Sequence, residues 1–166
     1  MKRSAFTLIE LLVVIAIIGI LSAIAVIAYG SAKAQARNAQ RIGNVKQIMT
    51  AFGVGYNLTN SYPYGTTDAW YCLSAACTGL WSSYGPDDTV NTFFNFSAKP
   101  VDPTDGVRNR GGFVYNGDWT TGSGSPADGA YLAYALEKTS NNQCPLGFMW
   151  DDKGTYFQCM VRLNQQ

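Results

Sequence analysis

Histidine is absent from the 166-residue chain, and with it the commonest general base and the commonest nitrogen ligand for zinc. A Ser-His-Asp or Cys-His catalytic centre therefore cannot be assembled. No two cysteines stand as Cys-x-x-Cys, so neither a zinc knuckle nor a dithiol redox pair is indicated. Charge is sparse: charged residues make up 14% of the chain, and 12 basic against 11 acidic side chains leave a net of +1. That balance gives no reason to expect a nucleic-acid partner or a strongly acidic one. No charged residue lies between Leu11 and Tyr29, and no proline precedes Pro63, so nothing breaks a helix over the first third of the chain.

What is present divides the chain in two. Residues 1–5 (MKRSA) are short, polar and basic, and an apolar run follows from Phe6 to Tyr29 with Glu10 as its one acid. About 20 apolar residues span a bilayer as a helix. Lys2 and Arg3 precede the run, so the positive-inside rule keeps the N-terminus cytoplasmic and exports the remainder. The run is too long for an ordinary secretory signal, and no small-x-small cleavage site follows it. The polar-to-apolar boundary lies between Ala5 and Phe6, where a cut removes the leader and keeps the helix. An ionised carboxylate in hydrocarbon costs at least about 2.5–3.5 kcal/mol on insertion scales, which makes Glu10 a functional candidate by default, the bland alternative being a glutamate snorkelling at the membrane interface.

The segment Phe6-Thr7-Leu8-Ile9-Glu10, continued by Leu11-Leu12-Val13-Val14-Ile15-Ala16-Ile17-Ile18-Gly19-Ile20-Leu21, resembles the N-terminal signature of type IV pilins and the related pseudopilins. The resemblance implies that a membrane-embedded prepilin peptidase cuts between Ala5 and Phe6 and methylates the new amine of Phe6. It further implies that Glu10 offsets the Phe6 amine of a neighbouring subunit during assembly. Pairing reduces the penalty of placing either charge in an apolar bundle. Two positions depart from the family pattern. Ala5 stands where glycine is usual before the cut. Ile27 stands where many pilins carry a proline, which together with a glycine such as Gly19 is associated with helix melting in filaments.

Beyond Tyr29 the pattern becomes amphipathic. Ala28, Ala32, Ala39, Ile42, Val45, Met49 and Phe52 recur at helical steps, predicting one helix from about Ser4 to about Asn57. Lys33, Arg37, Arg41 and Lys46 fall largely off that stripe and read as a solvated face. A basic surface for acidic loops of adjacent subunits or for anionic lipid headgroups is the sharper alternative. The remainder reads as a head. Asn60-Ser61-Tyr62-Pro63 marks a turn. Residues 64–103 are rich in Gly, Ser, Thr, Asp and aromatics and read as loops with room for a short helix or strand. Gly112–Asn116, Ala130–Glu137 and Thr155–Leu163 read as strands. Val101-Asp102-Pro103, Phe113-Val114-Tyr115 and the run from Tyr131 to Glu137 also resemble the head of pseudopilin-like pilins.

The fold class expected is therefore α+β: a long N-terminal helix, hydrophobic then amphipathic, with a small C-terminal antiparallel β-sheet packed on it, the type IV pilin fold. Its divisions are a leader over 1–5, a membrane or filament-core helix over 6–29, an amphipathic half over 30–58 and a head over 59–166. Cys72, Cys77, Cys144 and Cys159 allow three pairings. An oxidising compartment and easy local closure favour Cys72 with Cys77 and Cys144 with Cys159.

Several motifs carry a bland and a sharp reading. The pairs Asp87-Asp88 and Asp151-Asp152 read as solvated turn acids. Asp151 and Asp152 are the calcium candidates, because related pseudopilins bind that ion in the head, but no EF-hand spacing stands behind them. Asn57-Leu58-Thr59 and Asn95-Phe96-Ser97 match the glycosylation triplet. Trp70, Tyr71, Trp81, Tyr84 and Trp119 suit core packing or stacking on sugars. No enzymatic centre and no cofactor are expected.

The function expected is that of a structural pilin assembling into a homo-oligomeric helical filament. Its partners are prepilin peptidase, an assembly platform and, before assembly, the inner membrane. The precursor sits in that membrane as a single pass, and the assembled pilus lies at the cell surface. The rivals are a pseudopilin of a type II secretion system and a single-span carbohydrate-binding adhesion protein.

Overall fold

The computed structural model describes residues 7–74, 77–84, 90, 99–103 and 110–163. One helix, α1 (Leu8–Thr59), runs for 52 residues without interruption, about 78 Å at 1.5 Å per residue. It starts at a capping box. Thr7 accepts from the Glu10 amide, and the Glu10 carboxylate accepts in return from the Thr7 N–H, which satisfies amides that the first turn leaves without partners. It stops at Asn60, whose left-handed backbone (φ 55°) lets its N–H reach the Tyr56 carbonyl. The helix continues through Gly19 and past Ile27.

The head carries β1 (Trp70–Cys72), β2 (Thr78–Gly79), β3 (Arg110–Gly111), β4 (Phe113–Trp119), β5 (Gly129–Glu137), β6 (Phe148–Asp152) and β7 (Tyr156–Arg162). Five strands form an antiparallel sheet in the order β1-β4-β5-β7-β6, and β2 pairs with β3 separately. A long helix followed by a small antiparallel sheet is the α+β arrangement of the type IV pilin fold.

The two-residue period of a strand sends its side chains to opposite faces, and here both faces are buried. Phe113, Tyr115, Leu132, Tyr134, Leu136, Phe157 and Val161 join Val45, Ile48 and Phe52 of the helix. Phe52 stacks on Tyr115 at a centroid distance of 4.5 Å. The other face gathers Val114, Tyr131, Ala133, Ala135, Tyr156 and Met160 with Trp81 and Trp119. Cys72 is bonded to Cys77, and Cys144 to Cys159 on β7. Where β4 bulges beyond Asn116, the chain at 63–64 crosses it so closely that a Cβ on Gly117 would lie 2.3 Å from the Tyr64 carbonyl oxygen. Only glycine permits that approach.

The buried stripe of the helix differs in phase from the one its hydrophobicity suggests. It runs Ala34, Asn38, Arg41, Val45, Ile48 and Phe52, at alternating steps of four and three, whereas Ala32 and Ala39 are exposed. Arg41, read from the sequence as part of a solvated face, is instead 0% exposed. Arg37 is half-buried, and Lys33 and Lys46 alone of the four basic residues lie in solvent. The reason is that the head supplies carboxylates the local sequence lacks.

Candidate functional site

The helix has two halves, one exposed and one packed on the head, joined at a polar seat. Every described side chain from Thr7 to Val26 is exposed. An 18-residue window in the helix has mean hydropathy 3.2, and none of it is buried. Twenty residues rise about 30 Å, the thickness of a bilayer's hydrocarbon core. Isolated surface leucines are ordinary, but a continuous apolar cylinder of this length is a contact surface by default. By length and composition it is one helix able to cross a membrane once.

At its start, the Glu10 carboxylate takes 2.8 and 2.9 Å hydrogen bonds from the Thr7 N–H and hydroxyl. The acid that the sequence singles out is thus turned back toward the helix origin and held there, one turn from its own Cα. Ala5 and Phe6, the residues of the expected cut, lie outside the described residues.

The seat sits where the exposed half meets the head. Arg41 donates to Asp102 Oδ1 (2.8 Å), Glu137 Oε1 (2.7 Å), Asn38 Oδ1 (2.8 Å) and the Pro103 carbonyl. Arg37 makes a two-pronged contact with the Glu137 carboxylate, its Nε to Oε1 distance being 2.7 Å. Asn38 pairs with the Glu137 backbone in both directions, at 2.8 and 3.0 Å. The second oxygen of Asp102 accepts from the Gly112 N–H. A buried guanidinium is tolerated only when its charge is matched and its donors are used, and here two carboxylates and a carbonyl do both. Sequence reading missed this cluster. Its legible traces were Val101-Asp102-Pro103 and the run from Tyr131 to Glu137, which carry both carboxylates but signal resemblance and not charge pairing.

The remaining singled-out residues are scattered over the head. Asp151 and Asp152 on β6 are each engaged by cations: Asp152 with Lys138 at 2.7 Å, Asp151 with Lys153 at 2.7 Å and with Arg110 at 3.5 Å. The Lys138 ammonium, helped by the Gly154 N–H, holds the Asp152 carboxyl below its ordinary range. Among the described residues, no group of three or more His, Cys, Asp or Glu side chains could hold a metal ion. Trp81 and Trp119 are buried, and Trp70, Tyr71 and Tyr84 are half-buried. Trp150, which the sequence did not single out, lies 4.8 Å from Trp119 and is largely open. Asn57 is exposed near the helix end; Asn95, Asp87 and Asp88 lie outside the described residues.

Compared with known proteins, residues 1–26 match the prokaryotic N-terminal methylation motif. No curated protein and no solved structure matches the chain. The match covers the stretch that contains Ala5, Phe6 and Glu10 and most of the exposed apolar helix. The chain therefore carries, over its first 26 residues, the prepilin signature of type IV pilins and pseudopilins.

Proposed function

We propose that the chain is the structural subunit of a type IV pilus or pilus-like filament. The observation that carries this reading is the continuous, wholly exposed apolar half of α1, which its own head leaves uncovered. Before assembly, lipid covers that surface. After assembly, the same half of other copies covers it, so one segment serves as both anchor and filament core.

Prepilin peptidase cuts between Ala5 and Phe6, and Phe6 becomes the methylated terminus. The cut removes Lys2 and Arg3, taking the side-chain charge to 10 − 11 = −1. The capping box survives it, because Thr7 and Glu10 both remain in the mature chain. In the free subunit the Glu10 carboxylate has the Thr7 donors. In the filament, where water is excluded, the Phe6 amine of an adjacent copy supplies the charge that those neutral donors do not. The subunit passes from the inner membrane, through an assembly platform, to the cell surface.

The test is to shear filaments from cells expressing the chain and measure intact masses in filament and membrane fractions. The expected product is an abundant species lacking MKRSA and carrying one added methyl group. A membrane fraction whose chain still begins at Met1, with none in sheared filaments, would sink the proposal.

A further inference from the structure

On the sheet face turned away from the helix, β1, β3, β4, β6 and β7 and the segment at 81–84 line an open pocket of about 210 Å³. Its walls are aromatic. Trp119 lies nearly buried, its indole N–H donating to the Ser123 carbonyl at 3.3 Å. Trp70 and Trp150 stand steeply to it, at 62° and 77°, with centroids 5.6 and 4.8 Å away. Trp150 is 42% exposed, the most open of these rings. The cavity edge is polar: Arg110 donates to Gln158 Oε1, and Asp151 lies 3.5 Å from the same guanidinium.

We propose that this cavity is a binding site for a single neutral pyranose ring of a glycan. The chemistry of the lining selects that ligand. The open Trp150 ring beside a polar rim matches a pyranose, which has an apolar C–H face and a hydroxyl edge, whereas a lipid chain would bury the polar edge unpaired. A cation would face the Arg110 guanidinium. An anion would meet the Asp151 carboxylate 3.5 Å from that guanidinium. The volume is below the roughly 300 Å³ at the lower end of drug-sized pockets, so it seats one ring at a time. The helix packs on the opposite face of the sheet, so the site is separate from the apolar helix surface.

The experiment uses the full chain in a zwitterionic detergent without a sugar headgroup, since a glucoside or maltoside detergent would compete. Methyl glycosides of glucose, galactose and mannose are titrated by saturation-transfer NMR. Indole N–H resonances of the ¹⁵N-labelled protein are followed in parallel. The expected result is saturable binding of at least one pyranoside, with Kd of about 1–10 mM and selective shifts of the Trp150 and Trp119 resonances. Trp150→Ala should weaken binding at least tenfold and Trp150→Tyr should retain it. Leu58→Ala, on the exposed helix end, should change nothing. The wild-type resonance map keeps the proposal testable even if Trp150→Ala folds poorly. Absence of saturation by all three glycosides would overturn the proposal, as would shifts confined to other indoles, or tetramethylammonium binding in place of the sugars.

Discussion

Replacing Arg41 by methionine tests whether the polar seat holds the helix to the head. Methionine keeps much of the buried volume and removes the guanidinium. Four acceptors then lose a donor: Asp102 Oδ1, Glu137 Oε1, Asn38 Oδ1 and the Pro103 carbonyl. Neither carboxylate is wholly stranded, because Glu137 keeps Arg37 and Asp102 keeps the Gly112 N–H. The loss therefore falls at the low end of the roughly 3–5 kcal/mol that breaking a buried ion pair costs, about 3 kcal/mol. Against a typical domain stability of about 5–15 kcal/mol this is large. At about 2–4 °C per kcal/mol for a chain of this size, the midpoint should fall by about 6–12 °C. Arg37→Met, at a half-buried site, should cost only about 1 kcal/mol.

All four tryptophans lie in the head, so thermal unfolding of the full chain in detergent, followed by tryptophan fluorescence, reads the head directly. The Arg41→Met and Asp102→Asn pair should also show a coupling of at least about 1 kcal/mol in a double-mutant cycle, as contacting groups do. A midpoint for Arg41→Met within about 2 °C of wild type, or a loss no larger than that of Arg37→Met, would refute the reasoning.

Glu10→Ala should insert and be retained in membranes normally but lower the yield of sheared filaments at least about tenfold, since an unpaired charge in an apolar bundle costs about 2.5–3.5 kcal/mol; normal yield would reduce Glu10 to a helix cap. Cys144→Ser with Cys159→Ser opens a bridge of sequence separation 15 and should destabilise the head by about 3 kcal/mol, measured by denaturant titration under non-reducing conditions. Burial pushes the Tyr134 phenol up to about 12, and its hydroxyl donates to the Leu146 carbonyl at 2.7 Å. Burial raises Tyr115 as well. Both are neutral in either state below about pH 10. Above it the unfolded chain gives up these protons first, so stability should fall by up to about 1.4 kcal/mol per pH unit per tyrosine. Tyr134→Phe should flatten that slope between about pH 10 and about pH 12, and an unchanged slope would count against a protonated, buried phenol.

The helix was legible because its signals are local: an uncharged apolar run, a later stripe of apolar residues at helical steps, and no proline before Pro63. The sequence places its end at about Asn57 and the structure at Thr59. The central strands β4, β5 and β7 were legible for the same reason, their aromatic-rich apolar runs being bounded by glycine and polar turns. The edge strands were not. Trp70–Cys72 is three residues long in a loop-like context, and Phe148–Asp152 ends in the two acids that read as a turn. The seat was illegible for a deeper reason. Asp102 and Glu137 lie 61 and 96 residues from Arg41, and a lone arginine on a helix reads as solvated until its partners are placed. Ala32 and Ala39 misled the phase of the stripe, since alanine occurs on either face of a helix.

The position of the seat explains why it is polar. Val45, Ile48 and Phe52 recur at steps of three and four, and an apolar stripe alone would tolerate sliding along the sheet by one helical turn. Such a slip would break the Arg41 bonds to Asp102 Oδ1, Glu137 Oε1 and the Pro103 carbonyl together, a loss larger than that of a shifted methyl contact. Asn38 tightens the register further, because its amide matches the Glu137 N–H and C=O together. The head is thereby fixed at one height on the helix. Arg41 lies 31 residues beyond Glu10, about 47 Å along the axis. In a filament where Glu10 sets the depth of each helix in the bundle, the seat sets where the head stands above it. Under the proposed filament, these two charged groups on one helix mark the two ends of the same ruler.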